Sequence, residues 1–107
     1  SSRAASPMIR PALSLEPGNP ARMKNLGYFL TDSERNIEEG LELINRALKI
    51  EPDNYEYLHL KGWGLYKQGK NAEAMELLLR ADSLKPIYNH LLYLHLQEAG
   101  KVAASIK

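Results

Sequence analysis

Imidazole is the side chain that serves as general acid, general base and metal ligand near neutral pH, so the three histidines come first. His90 and His95 are five positions apart, which on one helix turns them about 140° away from each other, whereas an i, i+4 pair presents two nitrogens to one ion. They form no metal motif. An approach of His59 to His90 across two helices is conceivable, but surface or packing roles are the expectation for histidines in this setting. Ser33, Ser83 and Ser105 lie in a turn, near a helix end and at the tail, with no G-x-S-x-G elbow and no Ser-His-Asp order to activate a nucleophile. Glu38, Glu39 and Glu42, at i, i+3 and i+4 beside Arg35 and Arg46, read as a solvated, salt-paired helix face. Gly62-Trp63-Gly64 has half of a dinucleotide fingerprint, yet Lys67 stands where the third glycine belongs and no strand precedes it. Those glycines instead permit close helix packing. No nucleophile, acid/base pair, metal cluster or phosphate loop survives, so the expectation is a protein that is not an enzyme and uses neither cofactor nor metal.

With chemistry set aside, the elements carry the argument. The chain has 107 residues, enough for one compact unit, and its 44% hydrophobic and 25% charged content is ordinary for a globular domain. Leucine fills 18 positions while Val, Ile and Thr together fill 8, which favours helices over pleated strands. The net charge of +1, spread along the chain, supplies no field to draw in nucleic acid or an anionic membrane. Zero cysteines exclude disulfides and thiolate metal sites and are compatible with either redox compartment. The longest aliphatic run, Leu77-Leu78-Leu79, is far short of the roughly 20 residues that cross a bilayer, so a soluble chain without membrane insertion is expected. It begins at Ser1, as a processed product or an excised segment does.

Self-similarity organises the rest. Ala12 to Pro17, Ala47 to Pro52 and Ala81 to Pro86 align without gaps and recur at a nearly constant interval. Each block reads as a helix end, with a small residue that admits a neighbour and a proline that stops the helix. Between them small residues at 62, 74 and 81 alternate with bulky ones at 58, 65 and 78, as two tightly crossed antiparallel helices require. The unit from 20 to 54 repeats this with Met23, Leu26, Gly27 and Leu30, then Gly40, Ile44 and Ala47, and carries one extra residue in its internal turn around Thr31 to Arg35. The pattern predicts helices over 20–31, 36–50, 54–68, 71–84 and 88–100. Asp53 with Glu56, and Asn36 with Glu39, stand as capping pairs. Gly69 stands where a helix end turns left-handed, and Asn71 can start the helix after it.

This spacing resembles the tetratricopeptide repeat family, whose pattern is W-x2-L-G-x2-Y, then A-x3-F, then P within one repeat. Here it appears as Met23-x2-Leu26-Gly27-x2-Leu30 with Gly40-x3-Ile44, and as Leu58-x2-Lys61-Gly62-x2-Leu65 with Ala74-x3-Leu78; Lys61 and Gly40 depart from the usual leucine and alanine. The resemblance covers residues 12 to about 100. It implies an all-α, right-handed superhelical stack of antiparallel helix pairs: a repeat over 20–54, a repeat over 55–88 and a capping helix within 89–107. Residues 1–19, with Pro7, Pro11 and Pro17, would form an arm whose Met8, Ile9, Leu13 and Leu15 pack on the first pair. Val102 to Ile106 is too short to complete a second helix of the last pair.

In the family, first helices of successive repeats line a concave groove. The resemblance carries that groove onto Lys24, Tyr28, Thr31 and Asp32, then Glu56, His59, Trp63, Tyr66 and Lys67, then His90, Tyr93, Gln97 and Lys101. Trp63 and Tyr66 would anchor a peptide, their rigid rings giving contact area at low entropy cost, with Lys24, Lys67 and His59 as polar contacts and Tyr28, Tyr93 and Gln97 completing the surface. On this reading, replacing both Trp63 and Tyr66 by alanine abolishes capture and spares helicity. Of the places where chaperone-tail-binding members hold a terminal carboxylate, only Lys24 matches; Tyr28, Leu60, His90 and Leu94 occupy the others. The expected function is a non-enzymatic scaffold that binds a peptide segment of a partner protein. The alternatives are a homo-oligomerisation element, tested through Leu92 and Leu96, and an accessory domain of a larger complex or enzyme.

Overall fold

The computed structural model describes residues 18–106, with side chains through Val102. The arm contacts expected of Met8, Ile9, Leu13 and Leu15 lie outside the described residues. Those residues form helices α1 (Pro20–Asp32), α2 (Ile37–Ile50), α3 (Tyr55–Lys67), α4 (Asn71–Leu84) and α5 (His90–Ile106), and no strand occurs among them.

Short polar side chains start most of these helices. Asn19 Oδ1 accepts from the amides of Ala21 and Arg22 at 2.9 and 3.4 Å, and Pro20 follows at the first helical position, where its missing N–H costs nothing. Asn36 and Glu39 pair as expected: Asn36 Oδ1 accepts the Glu39 amide at 3.1 Å while its amide nitrogen donates to Glu39 Oε1 at 3.2 Å. The third cap differs from expectation. Asn54, not Asp53, accepts the Tyr57 amide, at 3.2 Å. The helix begins one residue later than expected, which puts the amide needing an acceptor three residues beyond Asn54. Asp53 instead meets Arg80 at 3.4 Å on the surface.

Helix ends follow the prolines. Glu51 and Lys85, each preceding a proline, leave the helical region with ψ of 82° and 136°, because the proline ring clashes with a helical predecessor. The two internal turns solve one problem in two ways. Gly69 takes a left-handed φ of +87°, as the sequence implied, whereas the longer first turn places Glu34 at φ +60°, a conformation costing a non-glycine residue roughly 1 kcal/mol. α5 departs most from expectation. Asn89 caps it by accepting the Leu92 amide at 2.9 Å, so it starts at His90 rather than 88. It then runs through Gly100 to Ile106, because a single glycine costs a helix only about 1 kcal/mol and no proline follows.

Helix α1 packs on α2 and α3 on α4, while α2 and α1 both rest on α3 and α5 lies on α4 with a smaller contact to α3. Missing side chains set the crossings. A Cβ on Gly27 would stand 2.7 Å from the Gly40 carbonyl oxygen, and one on Gly40 would stand 2.7 Å from the Gly27 oxygen, so α1 and α2 meet backbone to backbone. The buried faces supply the hydrophobic drive: Met23, Leu26, Leu30, Leu43, Ala47 and Tyr57 in one cluster, Leu58, Leu78, Ala81, Leu92 and Ala99 in a second, and Leu41, Leu65 and Ala74 in a third. The result is an all-α stack of antiparallel helix pairs.

Candidate functional site

The first helices of the pairs, α1 and α3, adjoin, and α5 reaches α3 beside them. Two depressions lie along this face. The first, of about 220 Å³, lies between α1 and α3 under the start of α5 and is lined by Lys24, Asn25, Tyr28, Glu56, His59, Leu60, Asn89 and Leu91. The second, of about 480 Å³, lies between α3 and α5 and is lined by Trp63, Tyr66, Lys67, Leu94, His95, Gln97, Glu98 and Lys101. Lys24, Tyr28 and His59 of the expected groove thus share the first, and Trp63, Tyr66, Lys67 and Gln97 share the second. Tyr93 lines neither. It is exposed beside Tyr88 and His90, with ring centroids 6.2 Å from each.

An aromatic wall separates the two. His59 and His95 are 2% and 7% exposed, and His59 Nε2 lies 2.8 Å from His95 Nδ1, so one imidazole N–H donates to the bare nitrogen of the other. The His95 ring lies parallel to Trp63 at 3.6 Å between centroids, Tyr66 also stacks on Trp63 at 4.9 Å, and Lys67 Nζ sits 5.2 Å from the indole centroid. Trp63 is itself only 7% exposed, and its Nε1–H donates to Asp32 at 3.0 Å. The indole is therefore a wall fixed by His95, Tyr66, Lys67 and Asp32 rather than a ring standing open in the groove. His90 is not the histidine that meets His59. It is the first residue of α5, exposed, and its Nδ1 lies 2.9 Å from the Tyr88 hydroxyl.

Burial governs the electrostatics. His59 is lowered to a pKa of about 4, first by burial and then by His95. His95 is lowered to about 4 by burial, with Asp32 pulling it up and Lys67 pushing it further down. Both rings are neutral at pH 7. Burial also raises the Tyr28 and Tyr66 hydroxyls, assisted by Asp32 for the first and by the Glu98 hydrogen bond for the second. Exposed ion pairs lie along the rim: Lys67 with Glu34 at 3.1 Å and Lys24 with Glu56 at 3.9 Å.

Glu38 and Glu42 are exposed, and neither forms an ion pair with Arg35 or Arg46 among the described residues. Exposed pairs of this kind gain too little to hold long side chains together. Sequence reasoning missed His95, Glu98 and Asn89. The available signal was the repeat register, which sets His95 in the same place as Leu26 and Lys61, one repeat beyond the latter. Among the described residues no group of three or more histidines and carboxylates gathers as a metal site, and no helix is long and apolar enough to cross a membrane.

Antiparallel helix pairs recurring at a regular interval, with first helices adjoining along one face, define a helical repeat protein. Over 90 residues the chain is 37% identical to a TPR repeat-containing protein of Pseudomonas aeruginosa, a match spanning 84% of this chain and 15% of that relative. Over 70 residues it is 40% identical to a TPR repeat-containing protein of Methanocaldococcus jannaschii, spanning 65% of this chain and 12% of the relative. No family model matches the chain. The chain belongs to the tetratricopeptide repeat family, whose fold is a protein-interaction module, and it covers a small part of the length of the two relatives.

Proposed function

We propose that the face formed by α1, α3 and α5 binds an extended segment of a partner protein, with side chains of that segment entering the two depressions on either side of the His59–His95 wall. The observation carrying this reading is that both depressions open on one face and are lined by apolar and polar side chains together, Tyr28, Leu60 and Leu91 beside Lys24 and Asn89 in one, Tyr66 and Leu94 beside Gln97 and Lys101 in the other. Tyr66 and Tyr28 are the half-buried rings with surface left to offer, and Lys101, Gln97 and Lys24 are the polar contacts. Trp63 is a fixed wall of the second depression.

The test places a photocrosslinking residue at Gln97 or, as control, at Glu42. A partner segment crosslinked from position 97 alone, and lost when Lys101→Glu is added with unchanged circular dichroism, supports this face. Equal crosslinking from both places overturns it.

A second reading, self-association, is favoured by one observation. Leu91, Tyr93 and Leu94 of α5 are exposed together with Leu84, Ile87 and Tyr88 before it, a run of apolar surface of the kind that marks contacts. Leu92 is fully buried, so the sequence-based test through Leu92 would disrupt the core; Leu91 and Leu94 are the positions to change.

A further inference from the structure

The His59–His95 contact joins α5 to α3, which touch also through the Trp63–His95 stack and the Tyr66–Glu98 hydrogen bond, while α5 rests chiefly on α4. Two neutral imidazoles 2.8 Å apart, buried and closed in by Trp63, share a single hydrogen bond. A proton added to either ring destroys the acceptor or places a cation in a site with little water. We propose that this pair is an acid-sensitive latch: at neutral pH it holds α5 across α3, and acidification frees α5 from α3 and dismantles the partner-binding face. The regulatory meaning rests on the reading of that face as the binding surface; the release of the helix does not.

Each neighbouring element brings its own groups toward the pair. On α1, Asp32 favours a protonated His95, but its Oδ1 is already committed to the Trp63 indole; Lys24 and Tyr28 border the first depression. On α3, Lys67 opposes protonation of His95 and is itself held by Glu34 from the turn after α1, while Glu56 pairs with Lys24 and Tyr66 with Glu98. On α5 itself, Glu98 and Lys101 stand on the rim of the second depression. α4 presents Ala74 and Leu78 to α3 at Gly62. Burial dominates over this balanced set, and both rings stay neutral until well below the ordinary histidine range. The sign follows from linkage. Once α5 is detached, both imidazoles titrate normally, so protons favour the detached state as pH falls below about 6.5.

The test is amide hydrogen exchange of the full chain at pH 7.5 and pH 5.0, expressed as protection factors, with nuclear magnetic resonance titration of the three histidines. The expected result is that α5 loses protection on the order of a hundredfold relative to α1 and α2, while His59 and His95 stay neutral until α5 opens. Trp63, the single tryptophan, should red-shift in the same interval. A His59→Gln, His95→Gln variant, which keeps hydrogen-bonding groups without titrating, should lose the pH dependence. Unchanged α5 protection at pH 5.0, or ordinary titration of His59 and His95 with α5 still closed, overturns the latch. The natural-chain measurements decide the matter if the variant does not fold. Because no partner is present, failure here leaves the binding reading to its own crosslinking test.

Discussion

At the residue scale, Trp63 changes most in meaning between sequence and structure. The sequence expectation makes it a peptide anchor whose loss spares the fold. With its ring 7% exposed, stacked on His95 and Tyr66 and hydrogen-bonded to Asp32, Trp63→Ala is expected to cost about 3–5 kcal/mol of stability. A thermal melt by circular dichroism checks this, and an unchanged midpoint would contradict the packing described. The histidine pair gives a second expectation. Both folded-state pKa values are depressed from 6.5 to about 4, so their neutral burial contributes fully above pH 6.5 and is lost as pH falls from there toward 4. Urea midpoints across that interval should fall for the natural chain and less for the double glutamine variant. Neither feature was legible in the sequence. The orientation of Trp63 depends on how α5 docks, a contact between segments far apart along the chain, and His95 occupies a repeat position filled elsewhere by Leu26 and Lys61, so its register spoke for packing alone.

At the scale of elements, local rules carried most of the boundaries. The alternation of small and bulky residues at repeat spacing identified both helix pairs because Gly27, Gly40 and Gly62 must sit where helices approach. Where local rules fell short, tertiary contacts decided. Asp53 and Asn54 are both good caps, and the register in which Asn54 caps is the one that buries Tyr57 in the first hydrophobic cluster. Asn54→Ala should therefore cost about 1 kcal/mol, whereas Asp53→Ala, removing only an exposed pair with Arg80, should stay within about 0.5 kcal/mol; denaturant unfolding of the two variants separates them. Gly69→Ala meets no atom within 4 Å, yet should cost roughly 1 kcal/mol because of its backbone conformation alone. The full length of α5 is not legible because Gly100 resembles a helix end, although the residues after it favour continued helix.

At the scale of the whole molecule, the unmatched helix decides what remains exposed. α5 buries Leu92, His95 and Ala99 and leaves Leu91, Tyr93 and Leu94 uncovered. If that run is a self-contact, sedimentation should show mass rising with concentration, and Leu91→Lys with Leu94→Lys should abolish the rise while leaving the thermal midpoint within about 2 °C, since single exposed substitutions seldom matter to stability. A constant monomer mass removes the self-association reading and leaves the partner-binding face intact.

The glycine contact between α1 and α2 has a bearing on recognition as well as on packing. Because Gly27 and Gly40 leave each backbone no room for even one methyl group on the other, a larger residue at either place must push α1 and α2 apart. α1 carries Lys24 and Tyr28, and α3, against which it also lies, carries Glu56 and His59. Two absent side chains on the inside of the first helix pair thus act as a calibration of the distance between the two walls of the smaller depression, and on the binding reading proposed above they would govern which side chains it admits without touching them.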